Sequence, residues 1–155
     1  QKQLLVRDIM PNVPEMPHAY EPAYQAWLTE FERFEVTPNT TLVGHSMGGC
    51  FLLRWLSERP TERVARTILV APSLDPFQQS ATGFADFTID PTITDRTHLV
   101  MLTSDNDSEK AEHSQAQIRA ALPSLDERQF PGYGHFIPEH LGSAELPPLL
   151  DIILA

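Results

Sequence analysis

Gly44-His45-Ser46-Met47-Gly48-Gly49 is the stretch on which the reading of this chain turns. It follows a short apolar run, Thr41-Leu42-Val43, and precedes a helix-like stretch, Cys50-Phe51-Leu52-Leu53-Arg54-Trp55-Leu56. A G-x-S-x-G match set between a strand and a helix is a candidate nucleophile elbow, a sharp turn that presents a serine at the top of a parallel sheet. The backbone of such a serine is strained. Gly44 and Gly48 are expected there because side chains two residues to either side would collide with the crowded strand and helix.

Outward from the elbow, apolar segments alternate between strand-like and helix-like patterns. Residues 4–9 read as a buried strand, stopped by Met10-Pro11-Asn12 and followed by a proline-dense surface loop. Tyr24, Trp27, Leu28, Phe31 and Phe34 recur at helical spacing and predict an amphipathic helix over 22–34. Further strands are expected at 40–43, 64–70, 98–102 and 127–130, with helices at 48–58, 109–122 and 148–155. Strands alternating with helices specify a mostly parallel sheet with helices on both faces, a three-layer α/β/α sandwich. Residues 72–97 lack a clean period and carry Pro72, Pro76, Gly83 and Pro91. They predict a long excursion near the site, whose aromatics either anchor it to the core or line an apolar pocket.

Composition narrows the function classes. The chain has 155 residues, expected to form a single domain over 1–155, and 41% of them are hydrophobic. No apolar run approaches the ~18 residues of a membrane span, and the first residues lack the apolar core of a signal peptide. The single cysteine, Cys50, excludes an intramolecular disulfide and suggests a reducing, cytoplasmic setting. A net charge of −10 argues against nucleic acid as a partner, because phosphate binding needs clustered Lys and Arg. Neither zinc-ligand spacing nor a phosphate-binding or dinucleotide fingerprint is present, so no metal or cofactor is expected.

A serine hydroxyl needs a histidine to take its proton and a carboxylate to hold that histidine in the right tautomer. The acid is expected after the fourth strand-like segment, where Ser104-Asp105-Asn106-Asp107-Ser108 offers two aspartates. One could cap the next helix while the other serves the histidine, so local sequence leaves Asp105 and Asp107 open. The base is expected after the last strand, where Gly132-Tyr133-Gly134-His135-Phe136 places His135 in a glycine-flanked loop. His18, His45, His98, His113 and His140 read as ordinary structural histidines. The Met47 backbone N–H is a candidate oxyanion donor, and His45, Phe77, Phe84 and Phe136 are candidate substrate-contact residues.

These motifs resemble those of the α/β-hydrolases, in particular the small YdeN-like serine hydrolases related to retinoblastoma-binding protein 9. Met10-Pro11-Asn12 with Trp27, the elbow Gly44-His45-Ser46-Met47-Gly48, Ser104-Asp105-Asn106-Asp107 and Gly134-His135-Phe136 are similar to that family's segments in the same order. The resemblance implies a triad of Ser46, Asp107 and His135, and it selects Asp107 over Asp105. It also implies a first strand, with a glycine turn carrying an oxyanion donor, between the 4–9 strand and the nucleophile strand. No segment before the elbow matches it. The expectation is therefore an N-terminally incomplete domain of roughly 30 missing residues, a strand supplied by self-association, or a sheet in which 4–9 pairs directly beside the nucleophile strand.

The function expected is hydrolysis of a small ester, thioester or amide acyl substrate through an acyl-enzyme. The alternative is a weakly active or non-catalytic interaction module on the same scaffold.

Overall fold

Two runs, Thr67-Ile68-Leu69-Val70 and Leu99-Val100-Met101-Leu102, apolar but for Thr67, form the middle of the sheet. The computed structural model describes residues 1–74 and 83–155. Its strands β1 (Thr41–His45), β2 (Arg66–Val70), β3 (His98–Thr103) and β4 (Asp126–Gln129) lie parallel in the order β1-β2-β3-β4. Successive strand residues face opposite sides, and here both sides are covered, which is why 68–70 and 99–102 are continuously apolar.

Leu69, Leu99 and Met101 point into the larger core. That core is shared with α2 (Tyr24–Phe31), α3 (Met47–Ser57) and α4 (Glu109–Ala121). Ile68, Val70, Val100 and Leu102 point the other way, into a smaller core closed by Ile152 of α6 (Pro147–Leu154) and by Phe136. Helices therefore lie on both faces, and the fold is the expected three-layer α/β/α arrangement. Each fully buried Leu or Ile here, such as Leu53, Leu56, Ile68 and Ile118, contributes about 1.5–3 kcal/mol of burial.

The two sheet edges differ. On β4, Asp126, Glu127 and Arg128 interleave with ion pairs, Arg119 to Glu127 at 2.6 Å and Arg128 to Asp126 at 2.8 Å. Charges of this kind blunt an edge against further pairing. The β1 edge carries Val43, which is 44% exposed.

The strand expected at 4–9 is not formed. Lys2–Leu5 is instead one helical turn, α1, with Leu5, Val6 and Met10 exposed. The amides of Leu4, Leu5 and Val6 donate to the carbonyls of Gln1 and Lys2. A short apolar run is compatible with either state, and a strand needs a neighbour to satisfy its backbone. Residues 4–9 have no such neighbour among the described residues, and local bonds prevail. The sheet in which 4–9 pairs beside the nucleophile strand is likewise ruled out by this arrangement.

In the excursion, Phe84 is wholly buried and meets Trp27 edge-on at 5.0 Å between ring centroids. A single 3-10 turn, Ile93–Asp95, then leads to Arg96 and β3. Arg96 is buried and donates to the carbonyls of Leu56, Arg59 and Glu62 and to Asp90. It thereby staples the end of α3 to the approach of β3.

Candidate active site

Ser46 is the one residue between β1 and α3, and its backbone sits at φ 54°, ψ −117°. That conformation is costly for a side-chain-bearing residue and survives only when its surroundings enforce it. Here they do. The Ser46 N–H donates to the Val70 carbonyl at 2.9 Å, and the Ser46 carbonyl accepts from Gly49 at 3.0 Å and Ser73 at 3.1 Å.

Gly44 is needed for the close approach of strand and helix, because a Cβ there would fall on the Gly48 carbonyl. Gly48 is not constrained in the expected way, since a Cβ there would meet no described atom within 4 Å. Gly49 takes that role instead, with Pro72 Cβ 2.9 Å from where its Cβ would lie. Met47 opens α3, so its N–H has no partner within the helix and stands at the positive end of the helix dipole.

The loops after β3 and β4 bring two more side chains to Ser46. Ser46 Oγ lies 3.0 Å from His135 Nε2, and His135 Nδ1 lies 2.9 Å and 3.2 Å from the two Asp107 carboxylate oxygens. A carboxylate only accepts, so the ring proton sits on Nδ1 and Nε2 is left to accept from the serine hydroxyl. The Asp107 side chain is wholly buried, whereas that of His135 is 24% exposed. This burial asymmetry keeps water off the carboxylate and leaves the imidazole edge accessible.

The remaining polar residues of the β3–α4 loop fasten the two loops together. Ser104 Oγ donates to the Phe130 carbonyl and accepts from the Tyr133 N–H. Asn106 Oδ1 accepts from the Gly134 N–H at 2.8 Å. Asp105 accepts from the Gly132 N–H at 2.7 Å, so it tethers the histidine loop and does not reach the imidazole. Neither aspartate caps α4. Ser108 is the cap, accepting from the Ala111 N–H at 3.3 Å. Ser104 and Asn106 are contributors that motif reading passed over, although both lie inside the segment it singled out.

Of the candidate substrate contacts, Phe77 lies outside the described residues. Phe84 fills the larger core, and Phe136 is buried in the smaller one against Phe130 and Tyr133. Both rings face protein. His45 Nε2 donates to the His135 carbonyl at 2.8 Å, and the two rings lie 5.0 Å apart. Its pKa is held below the ordinary imidazole value, chiefly by partial desolvation of the ring although the residue as a whole stays exposed, while the bond to that carbonyl works the other way.

Among the histidines set aside as structural, His98 lies 3.5 Å from Asp126, and His113 contacts the Glu109 carbonyl one turn back on its helix. His140 stands apart from these, because its Nδ1 accepts from the His135 N–H at 2.9 Å. Among the described residues no group of three or more His, Cys, Asp or Glu is gathered to hold a metal. None of their helices is long and apolar enough to cross a membrane.

Solved structures share this architecture over most of the chain. A carboxylesterase structure from the ammonia-oxidizing thaumarchaeon Nitrososphaera gargenis superposes with a TM-score of 0.61 at 13% identity, covering 99% of this chain and 81% of its own. A variant of PytH gives 0.65 at 13% identity, covering 99% and 90%. The bromoperoxidase of Bacillus anthracis gives 0.58 at 15% identity, covering 86% and 75%. At such identities the likeness is one of fold, and that fold is the α/β-hydrolase. No curated protein sequence matches the chain. The model of the family described as serine hydrolase matches residues 6–148. A match of that extent, on this fold, makes the chain a member of the serine hydrolase family.

Proposed function

We propose that this hydrolase cleaves a small, uncharged ester, thioester or amide through an acyl-enzyme on Ser46. The observation that carries the reading is the unbroken line of hydrogen bonds from Ser46 through His135 to the buried Asp107. In the proposed cycle His135 Nε2 takes the hydroxyl proton as Ser46 Oγ attacks the carbonyl carbon. Asp107 holds the Nδ1 proton and stabilises the imidazolium that forms. The Met47 N–H, at the start of α3, donates to the oxyanion. His135 then passes its proton to the leaving group, and the acyl-enzyme forms. Water attacks that ester with His135 as base, releasing the acid and restoring Ser46.

A fluorophosphonate probe tests the assignment. The wild-type chain is expected to label once, at Ser46, and Ser46→Ala is expected to lose the label. Labelling retained in that variant would overturn the assignment.

A further inference from the structure

The peptide group of His135 is gripped at both ends by other histidines. Its N–H donates to His140 Nδ1 at 2.9 Å, and its carbonyl accepts from His45 Nε2 at 2.8 Å. Neither bond belongs to the line joining Ser46, His135 and Asp107. We infer that His45 and His140 are positioning residues that clamp the His135 backbone so that its ring spans Ser46 and Asp107, and that protonation of His140 opens one side of the clamp. The inference rests on the reading of His135 as the base.

The segment needs such a clamp. His135 is flanked by Gly134 at φ 54° and Phe136 at φ 53°. The chain thus passes through left-handed backbone on both sides, and Phe136 bears a side chain there. The buried Phe136 ring holds the downstream side. Upstream lies the exposed loop at Gly132, where rotation of the 134–135 peptide would swing the imidazole off Ser46.

His140 reaches this peptide from α5 (Pro138–Leu141), a single turn that Pro138 opens and Gly142 closes at φ 62°. The His140 N–H donates to Ile137, which fixes the ring's approach. Gly134 leaves room for it, since a Cβ at that position would fall on the His140 ring.

The two sides of the clamp answer differently to acid. A ring nitrogen that accepts carries no proton, so the His140 bond exists only in the neutral form. Protonated His140 would turn an Nδ1–H toward the His135 N–H, donor against donor, and the bond would be lost. His45 donates through Nε2–H in either state, so its side stays closed.

His140 is exposed and lines an open cavity of about 350 Å³, so it exchanges protons with solvent. Tyr133 from the β4–α5 loop and Glu145 from the segment after α5 line the same cavity, the His135 N–H meets its ring, and Glu139 precedes it in its own turn. His45 and Asp107 bond to other groups of His135.

The test pairs kinetics on p-nitrophenyl acetate with an NMR titration of the whole chain. His140→Leu removes the acceptor and is expected to lower kcat about 10- to 100-fold, the cost of a misplaced base, with KM little changed. His140→Asn puts a non-titrating oxygen at the Nδ1 position and is expected to restore kcat. The acid limb of log kcat/KM is expected to be steeper in the wild type than in His140→Asn, because only the wild type carries a titratable acceptor at this position.

By NMR, ring nitrogen shifts are expected to show neutral His140 protonated on Nε2, with the His135 amide shift following His140 through its titration. Wild-type kinetics and amide shifts unchanged in His140→Leu, or a proton on His140 Nδ1, would overturn the clamp. Absence of fluorophosphonate labelling in the wild type would instead overturn the hydrolase reading, and the NMR arm would still decide the clamp.

Discussion

At the scale of single residues, the two aspartates of one short loop do different work. Asp107 faces the imidazole, whereas Asp105 holds the Gly132 amide. Asp107→Asn would present an amide that can donate to the ring and favour the wrong tautomer. It is expected to lower kcat on p-nitrophenyl acetate by about 10⁴-fold. Asp105→Asn keeps an oxygen for Gly132 and is expected to leave kcat essentially unchanged. Steady-state kinetics on both variants check this, and equal losses would remove the distinction. Local sequence could not separate the pair, because both side chains are short acids in the same turn. The direction of each carboxylate is set by how the 104–107 loop meets the 130–135 loop, through Ser104 and Asn106.

At the scale of elements, the elbow depends on how closely α3 crosses β1. Gly44→Ala would drive a methyl into the Gly48 carbonyl, an overpacking expected to cost about 1–3 kcal/mol or more. Gly48→Ala has open space and a helical position. It is expected to be neutral, or stabilising by up to about 1 kcal/mol, through better helix propensity. Urea unfolding midpoints of the two variants measure the contrast, and a Gly48→Ala protein destabilised like Gly44→Ala would contradict it. The spacing of the motif suggested symmetric roles for these glycines. The crossing of helix and strand makes Gly49, against Pro72, the second close contact instead.

At the scale of the whole molecule, Arg96 joins segments far apart in sequence. Its buried guanidinium meets the Leu56 carbonyl at the end of α3, the Arg59 and Glu62 carbonyls just beyond it, and the carboxylate of Asp90. Arg96→Met is expected to lower stability by on the order of 3 kcal/mol, since it strands buried acceptors and an acidic partner.

Asp90 adds a pH dependence. The Thr92 N–H, followed by the Thr92 hydroxyl and Arg96, holds its carboxyl below the ordinary carboxylate value, against a smaller opposing effect of burial. A carboxylate whose folded pKa is depressed stabilises the protein above its unfolded pKa of about 4. It loses that contribution as pH falls through the folded value. Thermal melts from pH 6 to pH 2 are expected to show Asp90→Asn losing less stability on acidification than the wild type. Parallel curves for the two proteins would refute this role.

What could be read along the chain was whatever depends on near neighbours. The strand–turn–helix context of Ser46, the continuous apolar runs of β2 and β3, and a histidine in a glycine-flanked loop are local patterns, and their periodicity carries the fold class. What could not be read there depends on partners remote in sequence. Residues 4–9 have strand-like composition, yet they bond locally, and among the described residues no neighbouring strand takes up their backbone groups. His140 looked like a surface histidine, and only the folding back of α5 sets its Nδ1 against the His135 amide. A hydrogen bond depends on distance and direction in space, and the spacing of residues along the chain specifies neither until the loops are packed.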